Sequence, residues 1–439
     1  MEIFSSYNVI IGISLTIILS FIFNGVAKKT NVPAVLLLII LGIVVQYILK
    51  AFGGETTFFT PMLEVLGIVG LIMIVLEAAL ELELKSDKLM PILKSLAIAL
   101  IGLVASTFIA AVILKALVKD MSMQSAWLYA TPLSILSSAI IIPSVSGLKE
   151  AKKEFHIYES TFSDILGIML FYFLTGRLNP AEDAGVGGFF LNLILTIVIS
   201  LIASYAIILI FQKIKSQVKL FLLIAVLLLL YALGKKMHLS SLIIILIFGL
   251  VIANMKLFFQ GQLRQYLDFE KAKSIYHELH VITAETAFVV RTLFFVIFGI
   301  TIVLSSLLSL KVTLISLLIL ISIYAIRYGL LRLFLGKDIS PQVFIAPRGL
   351  ITVLLFYAIP AEAMVEGFEP GILLFVIIGT SLIMTGGMIR DKKLNPPEDL
   401  ESIESKENTN EETEYFINNA TDLSELDETK SSPDENEIE

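Results

Sequence analysis

The sequence predicts an all-α polytopic membrane protein of about 13 transmembrane helices, and three observations carry that class. Hydrophobic residues make up 57% of its 439 positions, and the mean hydropathy is +0.90. Apolar runs of roughly 17–25 residues, the length at which a helix crosses the hydrocarbon of a bilayer, recur along nearly the whole chain. Successive connections between those runs differ in basic charge. One set holds about 19 Lys or Arg and the other about 7, the bias that sets membrane orientation.

Taken in order, the predicted spans lie near 7–27, 33–50, 62–83, 91–117, 124–147, 158–176, 188–212, 218–234, 239–255, 279–304, 311–334, 341–360 and 370–389. The first follows Met1-Glu2 with no basic segment ahead of it and runs to membrane length, so it reads as a span and not as a cleaved signal peptide. The basic connections are Lys28-Lys29, Lys85 to Lys94, Lys149 to Lys153, Lys213 to Lys219, Lys256 to Lys273, Lys337 and the residues after the last span. They are assigned to the cytoplasm of a plasma (inner) membrane protein, which puts the N-terminus outside and the C-terminus inside. Lys235 and Lys236, between the eighth and ninth spans, fall on the outer side. Both spans are kept because losing one would reverse the charge pattern downstream.

Two spans are interrupted. The fifth carries Thr131-Pro132, then Ser137-Ser138-Ala139, then Pro143; the twelfth carries Pro341, Ala346-Pro347-Arg348-Gly349 and Pro360. Proline removes a helical hydrogen bond, and broken helices at corresponding places in two halves mark the binding site of inverted-repeat transporters. Spans four to six and eleven to thirteen are the matching triplets. Proline kinks without any such role also occur in membrane helices.

Residues 1–390 form the transmembrane domain. Residues 391–439 hold 17 Asp or Glu against 4 Lys and few apolar residues, so they are expected to be a disordered, acidic cytoplasmic tail. The net charge of −7 comes from that tail, because the remainder carries 22 acids against 28 bases. Cysteine is absent, which excludes disulfides and thiolate chemistry, and four histidines offer little for a transition metal. His277-Glu278-Leu279-His280 is one residue short of the zincin spacing. No cofactor, no nucleic-acid partner and no enzyme activity are expected, since no catalytic constellation stands at suitable depth.

The informative stretch is Glu159-Ser160-Thr161-Phe162-Ser163-Asp164, which opens a membrane-length apolar run. A charge in hydrocarbon costs roughly 2.5–3.5 kcal/mol on insertion scales, so such residues face a partner or an aqueous pathway. On a helix Ser160 and Asp164 share a face, whereas the two acids point about 140° apart. One acid is thus free to meet an ion while the other meets an arginine. The alternative places Glu159 among lipid headgroups and Asp164 against a neighbouring helix. Glu77, with Glu81 on the same face, is a candidate pathway residue or a helix-end acid near the interface. Arg327 lies deep enough to need a counter-charge, and Glu285 and Arg291 are candidates for a structural pair.

The order and spacing of these motifs resemble the monovalent cation/proton antiporter family of the NhaP and Kef type over roughly residues 5–390. Its Glu-Ser-x-x-Asn-Asp pattern is matched at Glu159, Ser160 and Asp164, with Ser163 in place of Asn. Its preceding Thr-Asp-Pro segment falls at Ser137-Ser138-Ala139, without the acid. Phe294-Phe295-Val296-Ile297-Phe298-Gly299 and Arg348-Gly349 are similar to two further family motifs. The resemblance implies an NhaA-like antiporter fold with inverted repeats and two broken, crossing helices, working as a homodimer in membrane lipid. It implies exchange of Na+ or K+ for H+, with Asp164 holding the metal ion and the proton in turn. Ser160, Ser163, Ser137 and Ser138 would line that ion site. Glu159 would pair with Arg327, with Arg348 as the second choice of partner and also a pathway residue. The missing acid at Ser138 equally suits a degenerate sensor or scaffold. The tail is expected to be dispensable for exchange, either freely solvated or touching Lys149, Lys152 and Lys153.

Overall fold

A computed structural model describes residues 6–30, 32–53, 59–82, 84, 88–178, 185–214, 219–237, 241–302, 306–307 and 309–394. The regular elements among these are helical. In chain order they are α1 (Ser6–Thr30), α2 (Ala34–Ala51), α3 (Phe59–Glu81), α4 (Leu89–Leu117), the broken pair α5 (Met123–Ser134) and α6 (Ser138–Ser144), and α7 (Glu150–Gly176). Then come α8 (Gly185–Phe211), α9 (Lys219–Lys236), α10 (Ser241–Ala253), the single turn α11 (Met255–Phe258), α12 (Phe269–Thr301), α13 (Leu310–Leu335), α14 (Leu350–Tyr357) and α15 (Gly371–Leu394). The chain divides into a unit of Met1–Arg390 and a second of Asp391–Glu439. The acidic tail beyond 394 lies outside the described residues.

Each predicted span falls on a helical element, but the boundaries move where polarity hides a helix from a hydropathy reading. α7 begins eight residues before the predicted 158, and α12 ten before 279, because their first turns carry charges that keep a helical period. Asp268 starts α12 as its N-cap, accepting from the Lys271 N–H at 3.3 Å and pairing with its Nζ at 2.6 Å. These contacts, the Lys271 side chain first, hold the Asp268 carboxyl below the usual carboxylate range. Among the described residues nine helices are long and apolar enough to cross a membrane: α1, α2, α4, the α5–α6 pair, α7, α8, α12, α13 and α15. α10 and α14, with 13 and 8 residues, are shorter than a crossing requires.

The helices pack in two sets. α12 lies against α2 and α3, and α10 against α3, α8 and α9; α4 packs on α5, α7 and α13. The sets meet where α14 touches α3 and α7, and where α7 touches α3 and α10.

Glycine decides how closely α2 and α12 approach. A Cβ at Gly42 would stand 2.2 Å from Val296 O, and one at Gly299 would stand 2.4 Å from Ile39 O, so the backbones are in direct contact. Just beyond, Gln46 Nε2 donates to Ile300 O and Ile302 O, both at 2.7 Å, and satisfies carbonyls at the end of α12. Gly299→Val is expected to lower the melting temperature in detergent through overpacking of about 1–3 kcal/mol or more. Val at Gly12, where a Cβ meets nothing within 4 Å, should leave it unchanged by comparison.

At the end of the molecule where α7 starts, Lys88 pairs with Glu154 and Lys152 with Asp338 at 2.8 Å. Lys152 also donates to Ser340 O at 2.7 Å, and Lys153 pairs with Glu150 at 3.3 Å.

Candidate ion-binding site

Helix α5 ends at Ser134 and α6 starts at Ser138, with Ile135 extended between them (φ −75°, ψ 132°). Pro132 lies inside α5 and Pro143 inside α6, on either side of the break; neither has an N–H, so the carbonyls of Leu128 and Ala139, four residues earlier, lose their helical donors. The second interruption precedes α14, where residues 345–349 form no helix. The two unwound stretches cross in contact: Ser137 N–H donates to Pro347 O at 3.0 Å. Gly349 permits the crossing, since a Cβ there would come within 2.4 Å of Ser137 Oγ. Gly167 of α7 does the same on the other side, where a Cβ would meet Ile135 at 2.3 Å.

Freed backbone groups at the crossing find side-chain partners. Ser163 Oγ accepts from Leu136 N–H at 3.0 Å, so its hydroxyl closes the first break. Arg348, 2% exposed, donates from Nε to Leu133 O at 2.7 Å and from Nη1 to Ala346 O at 2.9 Å. Its guanidinium therefore caps the C-terminal, partially negative end of α5 and is not bonded to Glu159. The expectation of Arg348 as the second choice of partner for Glu159, after Arg327, is corrected accordingly.

Glu159 instead faces Arg327. Nη1 donates to Oε1 at 2.7 Å and Nη2 to Oε2 at 2.9 Å, a two-bond fork, while Nε donates to Gln342 O at 3.0 Å. Both side chains are buried. His156, one turn earlier on α7, is fully buried with Nδ1 3.4 Å from Glu159 Oε2. Sequence reasoning missed His156, although its i, i+3 spacing from Glu159 was available as a signal.

Asp164 lies on the other side of α7. It is 3% exposed, and neither carboxylate oxygen has a hydrogen-bond partner among the described groups. The polar groups directed at it are the Ser138 hydroxyl and backbone N–H at the start of α6, outside hydrogen-bond geometry. Ser160, one turn before Asp164, donates its hydroxyl to His156 O at 2.7 Å and keeps its lone pairs available. The two acids open on different spaces. Asp164 borders a cavity of about 10 Å³ walled by Val75 and Ala78 of α3, Ile243 and Leu246 of α10 and Ile351 of α14. Glu159 and Ser163 border one of about 30 Å³ inside the α4, α5, α7 and α13 set. Asp164 thus stands at the seam between the two sets, and Glu159 within one of them.

Glu77 pairs with Arg291, Nη2 to Oε2 at 2.9 Å, which replaces the expected Glu285–Arg291 pair; Glu285 is exposed. Two turns of α12 hold both residues, but helix rotation turns Glu285 outward and Arg291 toward α3. Arg291 Nη1 also donates to Ala139 O at 3.1 Å, the carbonyl orphaned by Pro143. The arginine therefore ties the broken helix to α3. Glu81 pairs with His280 at 3.0 Å, so that histidine has a carboxylate partner. Among the described residues no three His, Cys, Asp or Glu side chains cluster to hold a metal ion. Arg291→Gln is expected to cost less thermal stability than Glu159→Ala, because Glu77 is 23% exposed and keeps water within reach. Melting temperatures of the two variants measured side by side would check this.

A family model described as sodium/hydrogen exchanger, transmembrane, matches residues 14–390. No curated protein sequence matches the chain. The structure of the sodium proton antiporter MjNhaP1 from Methanocaldococcus jannaschii at pH 8 is similar with a TM-score of 0.65 at 20% identity, covering 89% of this chain and 100% of that one. A three-dimensional electron-microscopy structure of the same antiporter gives 0.62 at 20% identity, covering 89% and 96%. At that identity the likeness is one of fold.

Proposed function

The chain belongs to the sodium/hydrogen exchanger family, and from that premise we propose that it exchanges Na+, or in second place K+, for H+ by alternating access, with Asp164 as the shared carrier. The observation that carries this reading is the position of Asp164: a buried carboxylate with two unpartnered oxygens, at a helix break, on the seam between two helix sets. A lone carboxylate there is neutral with either H+ or one monovalent cation and charged with neither. The charged form is costly to carry through an apolar seam, so movement couples to loading. Na+ prefers oxygen ligands, and in this reading Ser160 Oγ, one turn before Asp164, and the hydroxyls of Ser137 and Ser138 at the helix break supply them. Ser163 serves the same site by holding the break. Glu77 and Arg348 belong to the surrounding frame, each with its charge already engaged.

In this reading one carboxylate gives one-for-one, electroneutral exchange. Glu159 and Arg327 form the structural pair that keeps α7 and α13 together. The protein works as a homodimer in the plasma membrane, with its N-terminus outside and its tail in the cytoplasm, as charge bias and family resemblance imply. A second reading, a sensor or scaffold without full transport, is favoured by Ser138 standing where the family pattern has an acid. Everted vesicles with a pH-sensitive dye separate the two: Na+ or K+ added to acid-loaded vesicles collapses the proton gradient in the first reading and does nothing in the second.

The tail is read as a separate, dispensable segment. Truncation after Lys393 should leave exchange in place, with any change confined to its pH profile at low ionic strength, where contacts between unlike charges are strongest. Loss of all exchange would put the domain boundary elsewhere.

A further inference from the structure

Between α13 and α15 runs an apolar groove of about 620 Å³, within the roughly 300–1,000 Å³ of small-molecule sites. Its walls include Leu317, Ile321 and Tyr328 of α13 and Ile383 and Arg390 of α15, with Phe344 at its floor. Phe344, partly buried, packs directly on α15 because a glycine faces it; a Cβ at Gly387 would stand 2.4 Å from the Phe344 side chain. Leu317, Ile321 and Tyr328 are about half exposed, at 48%, 58% and 55%, so the groove opens sideways. Both walls are spans long and apolar enough to cross a bilayer, so apolar side chains left exposed on them are suited to hydrocarbon.

The groove is apolar along its length and basic at one end. Tyr324 Oη donates to Thr380 O at 3.3 Å, which sets α13 and α15 side by side and brings their C-terminal ends together. Arg390 closes the groove at that end. Arg332, exposed, follows Tyr328 by one turn on the same stripe of α13 and bonds only weakly to Gly336 O, at 3.3 Å. The other charged groups nearby in sequence are Lys337, also exposed, Asp338, which is engaged by Lys152, and Asp391 and Lys392, which follow Arg390 directly. A laterally open apolar cleft in hydrocarbon is filled by an acyl chain, and guanidinium groups at its mouth bind phosphate through paired N–H donors.

We propose that this groove is a binding site for an anionic phospholipid, one acyl chain lying over Phe344 and the phosphate held by Arg390 and Arg332. The inference is independent of the ion site, because none of these residues borders Asp164.

The chain has a single tryptophan, Trp127 on α5, so a reporter can be moved into the groove. Full-length protein carrying Trp127→Phe and Phe344→Trp, reconstituted in phosphatidylcholine, would be titrated with phosphatidylglycerol or phosphatidylcholine bearing brominated acyl chains. Quenching by brominated phosphatidylglycerol should reach half its maximum at a lower mole fraction, by roughly fivefold for each arginine. Arg390→Gln with Arg332→Gln should remove the difference, and Arg390→Lys should keep part of it. As a readout without a tryptophan exchange, added phosphatidylglycerol should raise the melting temperature of the unaltered protein in detergent more than phosphatidylcholine does, and the double glutamine variant should lose that excess. Equal quenching by the two lipids, an excess that survives in the double variant, or reproduction of the thermal effect by inorganic phosphate alone would each overturn the proposal.

Discussion

Vesicles containing Asp164→Asn are expected to show no cation-induced proton movement while the protein is inserted and folded at normal levels. The amide is nearly the same shape as the carboxyl, so packing against Ile165, Ile168 and the α3 wall is retained. It can neither take up a proton at working pH nor neutralise a cation, and both halves of the cycle are lost together. Folding is spared because the carboxylate oxygens of Asp164 have no hydrogen-bond partners to lose. Asp164→Glu keeps the charge on a side chain one methylene longer and should retain weak exchange with a changed apparent affinity. The measurement is the dye response of everted vesicles to Na+ or K+ pulses, alongside a melting curve. Residual cation-induced proton movement in Asp164→Asn would remove Asp164 from the carrier role.

The second large effect concerns stability. Glu159→Ala leaves the Arg327 guanidinium buried without its carboxylate, a loss of about 3–5 kcal/mol for pairs of this kind. Arg327→Ala leaves the opposite charge stranded and should cost a similar amount. Replacing both, Glu159→Leu with Arg327→Met, should recover much of the loss, since two apolar groups strand no charge. A double-mutant cycle read by melting temperature should give a large coupling energy for Glu159 with Arg327 and a small one for Glu159 with Arg348, whose guanidinium is held by Leu133 and Ala346 carbonyls. The reverse ranking would move the structural role to Arg348. Because Glu159 lies in the cavity away from the seam, the apparent cation affinity of surviving protein should change less than its stability.

Much of the architecture is fixed by composition and periodicity alone. Hydrocarbon admits only backbone that is internally bonded, so each long apolar run had to be a helix, and prolines at 132, 143 and 347 marked the two segments that break, although Pro132 and Pro143 themselves sit inside α5 and α6. The exchanger family was also legible, from the order of short motifs along the chain. Burial of Glu159 and Asp164 on different faces of one helix followed from a five-residue separation and the helical period.

What the sequence could not decide was which side chain meets which across the bundle. Partner choice depends on the rotation and depth of helices that are far apart in sequence. Glu285 and Arg291, six apart on α12, looked paired, yet α12 turns Arg291 to Glu77, 214 positions away. Arg348 looked like a partner for an acid and instead serves carbonyls, because the break in α5 leaves acceptors that only the folded crossing brings within reach. The roles of His156 and of the Ala139 carbonyl stay hidden for the same reason: one matters through its distance to Glu159, the other through an oxygen that Pro143 leaves free and Arg291 takes. Hydropathy and spacing determine that a residue must be satisfied, and the tertiary packing of helices selects the group that satisfies it.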